Sequence, residues 1–149
     1  MAEGNRSEVV EALSRLLADS YTLYLKTHNY HWNVTGPMFN TLHTLFEVEY
    51  NELALAVDEI AERIRTLGDH APGSYAEFAA LTRIKEGRPA TPALDMVRDL
   101  GADQLSVAET ARAAVEAAEA VGDQASADLG VRRIDTHEKN AWMLRSHLE

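Results

Sequence analysis

The side chains whose types and spacing allow chemistry are concentrated between residues 28 and 68, in the stretch HNYHWNVTGPMFNTLHTLFEVEYNELALAVDEIAERIRTLG. His31 and His43 lie on either side of Gly36-Pro37, and Asp58 and Glu62 follow, four residues apart. On a helix, residues four apart share a face, with Cβ atoms about 6 Å from each other. Two carboxylates placed in this way can grip a hard divalent cation, and added imidazoles suit iron or zinc. Each residue also has an ordinary structural role open to it. The acids can be part of a solvated helix face, His31 can cap a helix end, and His43 can sit on the rim of a core. There is no Cys, which excludes disulfides, thiolate metal sites and cysteine nucleophiles. A metal would have to be held by nitrogen and oxygen.

The elements that must position these residues are helices. With 149 residues and 46% hydrophobic content, the chain is long enough for one domain with a proper core, spanning 1–149. Asn5 or Ser7 can cap a first helix in which Val9, Leu13, Leu16, Leu17, Leu23 and Tyr24 recur at helical spacing, running to Asn33 or Val34. Pro37 suits the first turn of a second helix, Met38 to Leu67, which Gly68 stops. One stripe of that helix is apolar and faces the bundle core, from Leu42 and Phe46 through Leu53 and Ile60 to Leu67. The opposite side mixes Glu47, Asp58 and Glu62 with Val48 and Leu55, apolar residues that a solvated face does not need.

After an irregular Gly- and Pro-rich stretch, Ser74 and Glu77 form a capping box for a short helix through Phe78 and Leu81. Thr91-Pro92 caps a third long helix through Leu94, Val97, Leu100, Leu105, Val107, Ala111 and Val115, with an alanine-rich portion suited to close packing. Asp123 or Ser126 caps a fourth, with Leu129, Ile134, Trp142, Met143 and Leu144 as its apolar contacts. Four long helices, with a short extra one in the long crossover between the second and third, predict an all-α, ferritin-like four-helix bundle. A plain up-down bundle is the alternative topology.

The helix rise adds a constraint. His43 and Asp58 are fifteen positions apart, about 22 Å along one helix, so they cannot hold the same ion within one chain. An antiparallel, two-fold-related copy would set the His end of one subunit against the Asp/Glu end of the other, giving two equivalent intersubunit sites. The familiar intrabundle arrangement with Glu-x-x-His on two helices is absent, because no His here has Glu three residues before it.

A Lys, then HWN, a Gly, a Phe, LH and DEIAER, in this order and spacing, closely resemble the signature of the Dps family, the miniferritins. HEKNAWMLR, residues 137–145, is similar to the family's last helix, and the resemblance covers essentially the whole chain. It implies a subunit of a hollow homododecamer that oxidises Fe(II), preferably with hydrogen peroxide, and stores Fe(III) mineral inside. Carried over by motif, His31 and His43 come from one subunit and Asp58 and Glu62 from its partner, with Glu47 as an auxiliary iron ligand. Trp32 resembles the family's tryptophan beside the centre, which intercepts oxidising equivalents; simple packing is its other role. Asp123 and Asp128 are expected to line an iron entrance pore where three subunits meet, besides serving as an N-cap and a favourable first-turn charge.

Two departures from the family pattern stand out. Thr44 follows His43 where many members have Glu, and the N-terminus carries only Arg6 where DNA-binding members have a Lys-rich arm. The formal charge of −10 repels nucleic acid and membrane surfaces while concentrating cations. DNA is therefore not expected as a partner. The opening MAEGNRSE has no signal-like pattern, so a cytoplasmic protein is expected. The competing functions are a nucleoid-compacting DNA binder with incidental iron chemistry and a structural cage whose site holds zinc, since two His and two carboxylates suit that ion as well.

Overall fold

The computed structural model describes residues 3–149, with side chains from Arg6 onward. The side chain of Asn5, one of the two expected first caps, lies outside the described residues, as do Met1 and Ala2. Five α-helices follow in order, α1 Glu3–Asn33, α2 Phe39–Thr66, the short α3 Tyr75–Leu81, α4 Ala93–Ala120 and α5 Gln124–Arg145, and a 3₁₀ turn closes the chain at Ser146–Leu148. There is no strand among the described residues. Four long helices form the bundle and α3 sits in the crossover, as the periodicity predicts.

Side-chain pairs set the directions of the helices. Lys26 reaches Asp99 and Asp103, and Asp19 reaches Thr110, so α1 and α4 run antiparallel. Glu52 pairs with Arg133 and Arg63 with Asp123, which makes α2 and α5 antiparallel as well. The core contains Leu13, Leu16 and Leu23 from α1, Leu42, Phe46, Leu53, Ile60 and Ile64 from α2, Leu100 and Val107 from α4, and Leu129 and Leu144 from α5. Ala111, Ala114 and Ala118 are buried in α4, and a Cβ added to Gly130 of α5 would stand 2.6 Å from Val115 Cγ2. The alanine-rich stretch is thus the place where two helices approach closely.

Turn chemistry ends α2 as expected. Gly68, at φ +92°, takes the left-handed position after the helix, and its N–H bonds to the Arg65 carbonyl at 2.9 Å. Ser74 Oγ accepts the Glu77 N–H at 3.2 Å and donates to its carboxylate at 3.0 Å, forming the capping box of α3. Hydrogen bonds from the Gly73 N–H, His70 and Ser74 push that carboxyl down to about 2. Asp19 fastens the crossover: its carboxylate accepts from Thr82 Oγ1 at 2.7 Å, from the Arg83 N–H at 2.9 Å and from Thr110 Oγ1 at 2.6 Å.

Several expectations need correction. α1 begins at Glu3, so Ser7 lies inside the helix rather than capping it. Pro37 falls just before α2, which opens at Phe39 behind Gly36 (φ +105°). Thr91 is not a cap, because its hydroxyl donates back to the Arg88 carbonyl at 2.7 Å and α4 starts after Pro92 without a side-chain cap. Leu94, Leu105 and Trp142 are exposed. Gln104 holds the core position next to Leu105, and Arg133 and His137 hold core positions on α5 while Trp142 points outward.

Candidate metal centre

The C-terminal turn of α1 and the start of α2 meet at two imidazoles. His31 and His43 stack with ring centroids 3.7 Å apart and planes 13° from parallel. His31 Nδ1 lies 2.7 Å from the His43 carbonyl oxygen, and His43 Nδ1 lies 2.7 Å from that of His31. A carbonyl only accepts, so each Nδ1 carries its proton and donates. In the neutral ring Nε2 is then the unprotonated nitrogen, the form that ligates a metal, with its orientation fixed by the opposite nitrogen. The His31 carbonyl lies in the last turn of α1, where helical carbonyls lack an intrahelical partner, so this latch also closes the helix end.

Aromatic rings surround the pair. Phe39 lies over His43 at 4.9 Å, and His28 is held between Trp32 at 3.9 Å and Tyr50 at 4.2 Å. Burial, and secondarily the neighbouring His31, push the His28 imidazole below its ordinary value. Behind this end, the buried Lys26 ammonium pairs with Asp99 at 3.0 Å and Asp103 at 2.7 Å, and Tyr30 donates to Asp99 at 2.6 Å. Burial and the adjacent Asp99 raise the Tyr30 phenol to about 12, so it stays a donor. These bonds tie the last turns of α1 to α4 and limit movement of the two imidazoles.

The structure places the other expected site residues as follows. Glu47 Oε1 is 3.9 Å from His31 Nε2, so this acid accompanies the imidazoles. Asp58 and Glu62 are exposed on the same outer face of α2, three to four turns further along. Among the described residues, no three His, Asp or Glu side chains of one chain are placed to hold a metal ion together. Trp32 is 59% exposed and packs on His28 rather than in the core. Asp123 is buried, accepting from Ser126 N–H and Oγ and from Arg63 Nη2 at 2.9 Å, which is its capping role. Asp128 is exposed and accepts from Gln124 at 2.8 Å.

Sequence reasoning did not single out His28 or Tyr50. The available signal was the spacing of Tyr24, His28 and Trp32, which puts three rings on one helix face. It also missed a polar run through the core: Arg133 pairs with Glu52 and donates to His137 Nε2 at 3.1 Å, and His137 Nδ1 donates to Gln104 Oε1 at 2.6 Å. Glu49, buried nearby on α2, has no hydrogen-bond partner for either carboxylate oxygen, and burial raises it to about 8.

Comparison with known proteins bears on the same chain length. The family model described as a ferritin-like domain matches residues 10–149. The whole chain is 40% identical to an uncharacterized low temperature-induced protein of a Nostoc species, covering 84% of that protein. It is 36% identical over 141 residues to DNA protection during starvation protein 2 of Bacillus anthracis, covering 95% of this chain and 97% of that one. The crystal structure of a Dps protein from Bacillus brevis matches with a TM-score of 0.96 at 34% identity, covering 100% of both chains. That of the Vibrio cholerae DPS protein, described as a member of a broad superfamily of ferritin-like diiron-carboxylate proteins, matches at 0.95 and 31% identity, covering 100% of this chain and 94% of that one. The signature around the paired imidazoles, the bundle with its crossover helix and these full-length likenesses agree: the chain belongs to the Dps family of ferritin-like proteins.

Proposed function

We propose that this protein is a ferroxidase and iron store, a closed homododecamer that oxidises Fe(II) at two equivalent sites in each two-fold pair of subunits and keeps the Fe(III) product as mineral inside. The observation that carries the reading is the reciprocal His31–His43 latch, which prepares two ligating nitrogens at one end of α2, while Asp58 and Glu62 stand about 22 Å away from His43 along the same helix or beyond. A two-fold, antiparallel pairing of α2 brings one subunit's imidazoles to the other's carboxylates. The exposed Val48 and Leu55 on that face support it, since apolar side chains there gain from being covered.

Fe(II) is the substrate. His31 and His43 of one subunit and Asp58 and Glu62 of the other hold it, with Glu47 as an additional ligand on the imidazole side. Hydrogen peroxide, preferred over oxygen, takes one electron from each of two Fe(II) ions and two protons; its O–O bond breaks and it leaves as two waters, releasing no hydroxyl radical. Trp32, exposed beside the imidazoles, intercepts stray oxidising equivalents. Asp128, with Asp123 behind it, belongs to an entrance pore for cations, and the net charge of −10 favours their approach. Zinc suits the same donors and would compete.

The ferritin-like diiron-carboxylate description of the Vibrio cholerae relative and the starvation-protection name of the Bacillus anthracis relative support iron storage and protection as the role. No helix among the described residues is long and apolar enough to cross a membrane, and the cytoplasm is the proposed location. DNA binding has less support, since phosphate contacts need clustered Lys and Arg and the sequence offers none as a tail.

Subunit mixing tests the site. A His31→Ala, His43→Ala protein and an Asp58→Ala, Glu62→Ala protein should each lose fast iron oxidation. In their mixed dimer, one site keeps every ligand, so co-refolding should restore roughly half of normal activity per such dimer. With subunit exchange verified by mass, failure to recover activity would rule out the shared site.

A further inference from the structure

A row of aromatic rings leads away from the paired imidazoles. His28 lies between Trp32, at 3.9 Å, and Tyr50, at 4.2 Å. Tyr50 meets Tyr24 edge to face at 5.9 Å, Tyr24 meets Tyr21 at 5.7 Å, and Tyr21 stacks on Phe78 at 5.0 Å. Positions 21, 24, 28 and 32 recur at helical spacing, so α1 carries four of these rings on one face. Core filling does not account for the row. The fully buried stripe of α1 is Leu13, Leu16, Leu23 and Tyr30, whereas Tyr21, Tyr24, His28 and Tyr50 are only partly buried. The indole and the three phenols are the side chains here that give up an electron most readily. Phe78 has no such group, so Tyr21 is the last station, ten residues before His31 and about 15 Å from it along α1.

We infer that this row is an electron relay: Tyr50, Tyr24 and Tyr21 supply, across His28 and Trp32, the electron that completes peroxide reduction when only one Fe(II) occupies the site. The inference rests on the ferroxidase reading and deepens it, since the equivalent met by Trp32 gains a destination. A single Fe(II) gives hydrogen peroxide one electron; the O–O bond breaks, one oxygen leaves as hydroxide and the other is left as a hydroxyl radical. Trp32, exposed beside the imidazoles, reduces that radical to a second hydroxide. The indole radical cation then takes an electron from Tyr50 across the His28 ring, and the phenol proton converts one hydroxide to water. Fe(II), peroxide and a phenol have become Fe(III), hydroxide, water and a neutral tyrosyl radical. The radical passes to Tyr24 and Tyr21, each phenol recovering its proton as the next one loses its own. The next Fe(II) to bind returns an electron, and a proton from water restores the phenol. Two Fe(II) are still consumed per peroxide, one at a time.

Freeze-quench electron paramagnetic resonance of the assembled protein reads the relay. One Fe(II) per site and one equivalent of peroxide should give an organic radical whose spectrum narrows when the protein carries ring-deuterated tyrosine, and further Fe(II) should discharge it. Tyr50→Phe keeps the stack and removes the first phenol. In a Trp142→Phe background, its radical should stop responding to labelled tyrosine and respond to ring-deuterated tryptophan instead. A spectrum indifferent to labelled tyrosine before the substitution, or still narrowed by it afterwards, would overturn the relay. So would a tyrosine radical of full intensity in the His31→Ala, His43→Ala protein, since the phenols would then be oxidised from solution. Recovered iron oxidation in the subunit-mixing assay without a tyrosine radical leaves the shared site standing and removes the relay. The radical without that recovery strikes the shared site and keeps the relay.

Discussion

His31 and His43 at the α1–α2 end and His137 in the core are the same residue in opposite circumstances. At the α1–α2 end, backbone carbonyls accept from both Nδ1 atoms, and no hydrogen bond among the described residues engages either Nε2. In the core, His137 is fully buried, donates from Nδ1 to Gln104 and accepts at Nε2 from Arg133. Burial first, and Arg133 second, push it well below its ordinary value. What decides whether an imidazole can act on a metal is therefore the engagement of its second nitrogen. Proximity to acids is the weaker guide, since Glu52 lies just beyond Arg133 in the network from His137 and no ligand position results.

The largest expected effect comes from removing the free nitrogens. Alanine at His31 and His43 should lower the rate of iron oxidation by more than about 100-fold, a loss worth about 2.7 kcal/mol in the barrier, and should lower the melting midpoint as well, because both hydrogen bonds of the latch are lost. Loss of folding instead would mean that the two rings are core elements after all.

Glu49 sharpens the contrast from the side of pH. Its folded-state value is raised to about 8 from 4.5, so the fold binds a proton that the unfolded chain has released across that window. Stability from this group is full below about pH 4.5 and is lost as pH rises toward 8, by about 3 to 5 kcal/mol at 1.36 kcal/mol per unit. His137 has the opposite sign, being held neutral in the fold: stability falls as pH drops below 6.5, because the unfolded chain then takes up the proton. Chemical denaturation of Glu49→Gln should show the first slope gone and the second retained. An unchanged decline between pH 4.5 and 8 would acquit Glu49.

Smaller effects follow in the core network and at the helix cap. Arg133→Met leaves the His137 Nε2 acceptor without its donor, and should destabilise by about 1–3 kcal/mol without slowing iron oxidation per assembled cage. Asp123→Ala removes the α5 cap and the Arg63 contact, costing about 0.5–2 kcal/mol. Asp128→Asn should change stability by less than about 1 kcal/mol yet slow iron uptake by intact cages. Unaltered uptake in that variant would leave Asp128 as a surface charge only.

The helices, their order and the crossover were legible because apolar periodicity and Gly or Ser punctuation are local signals. Gly68 and Ser74 do what their types suggest. The errors came where an apolar residue and a polar one compete for the same helical face. Leu105 was expected inside and Gln104 is there, because Gln104 has His137 to bond and Leu105 lies off the stripe of Val97, Leu100, Val107 and Ala111. Trp142 was assigned to the core on its type alone, whereas the α5 stripe runs through Arg133, His137, Ala141 and Leu144. At the site, the residue types and the 22 Å separation were readable from spacing. The latch was not, since it depends on two backbone carbonyls that no side-chain pattern encodes. Asp123, by contrast, was readable as an N-cap from its type and place, and the structure gives it that role, with Ser126 and Arg63 as its donors.

The clamp at Asp19 has a further consequence for motion. Its one carboxylate holds Thr82 and Arg83 of the crossover and Thr110 of α4 at once. The segment just after α3 is therefore not free to breathe as a surface loop ordinarily does; releasing it requires giving up bonds that also join α1 to α4. In hydrogen-exchange terms, the Arg83 amide should exchange on the slow timescale of the long helices, through the same opening that exposes the core. The return of the crossover from α3 toward α4 would then keep its place for as long as the bundle itself does.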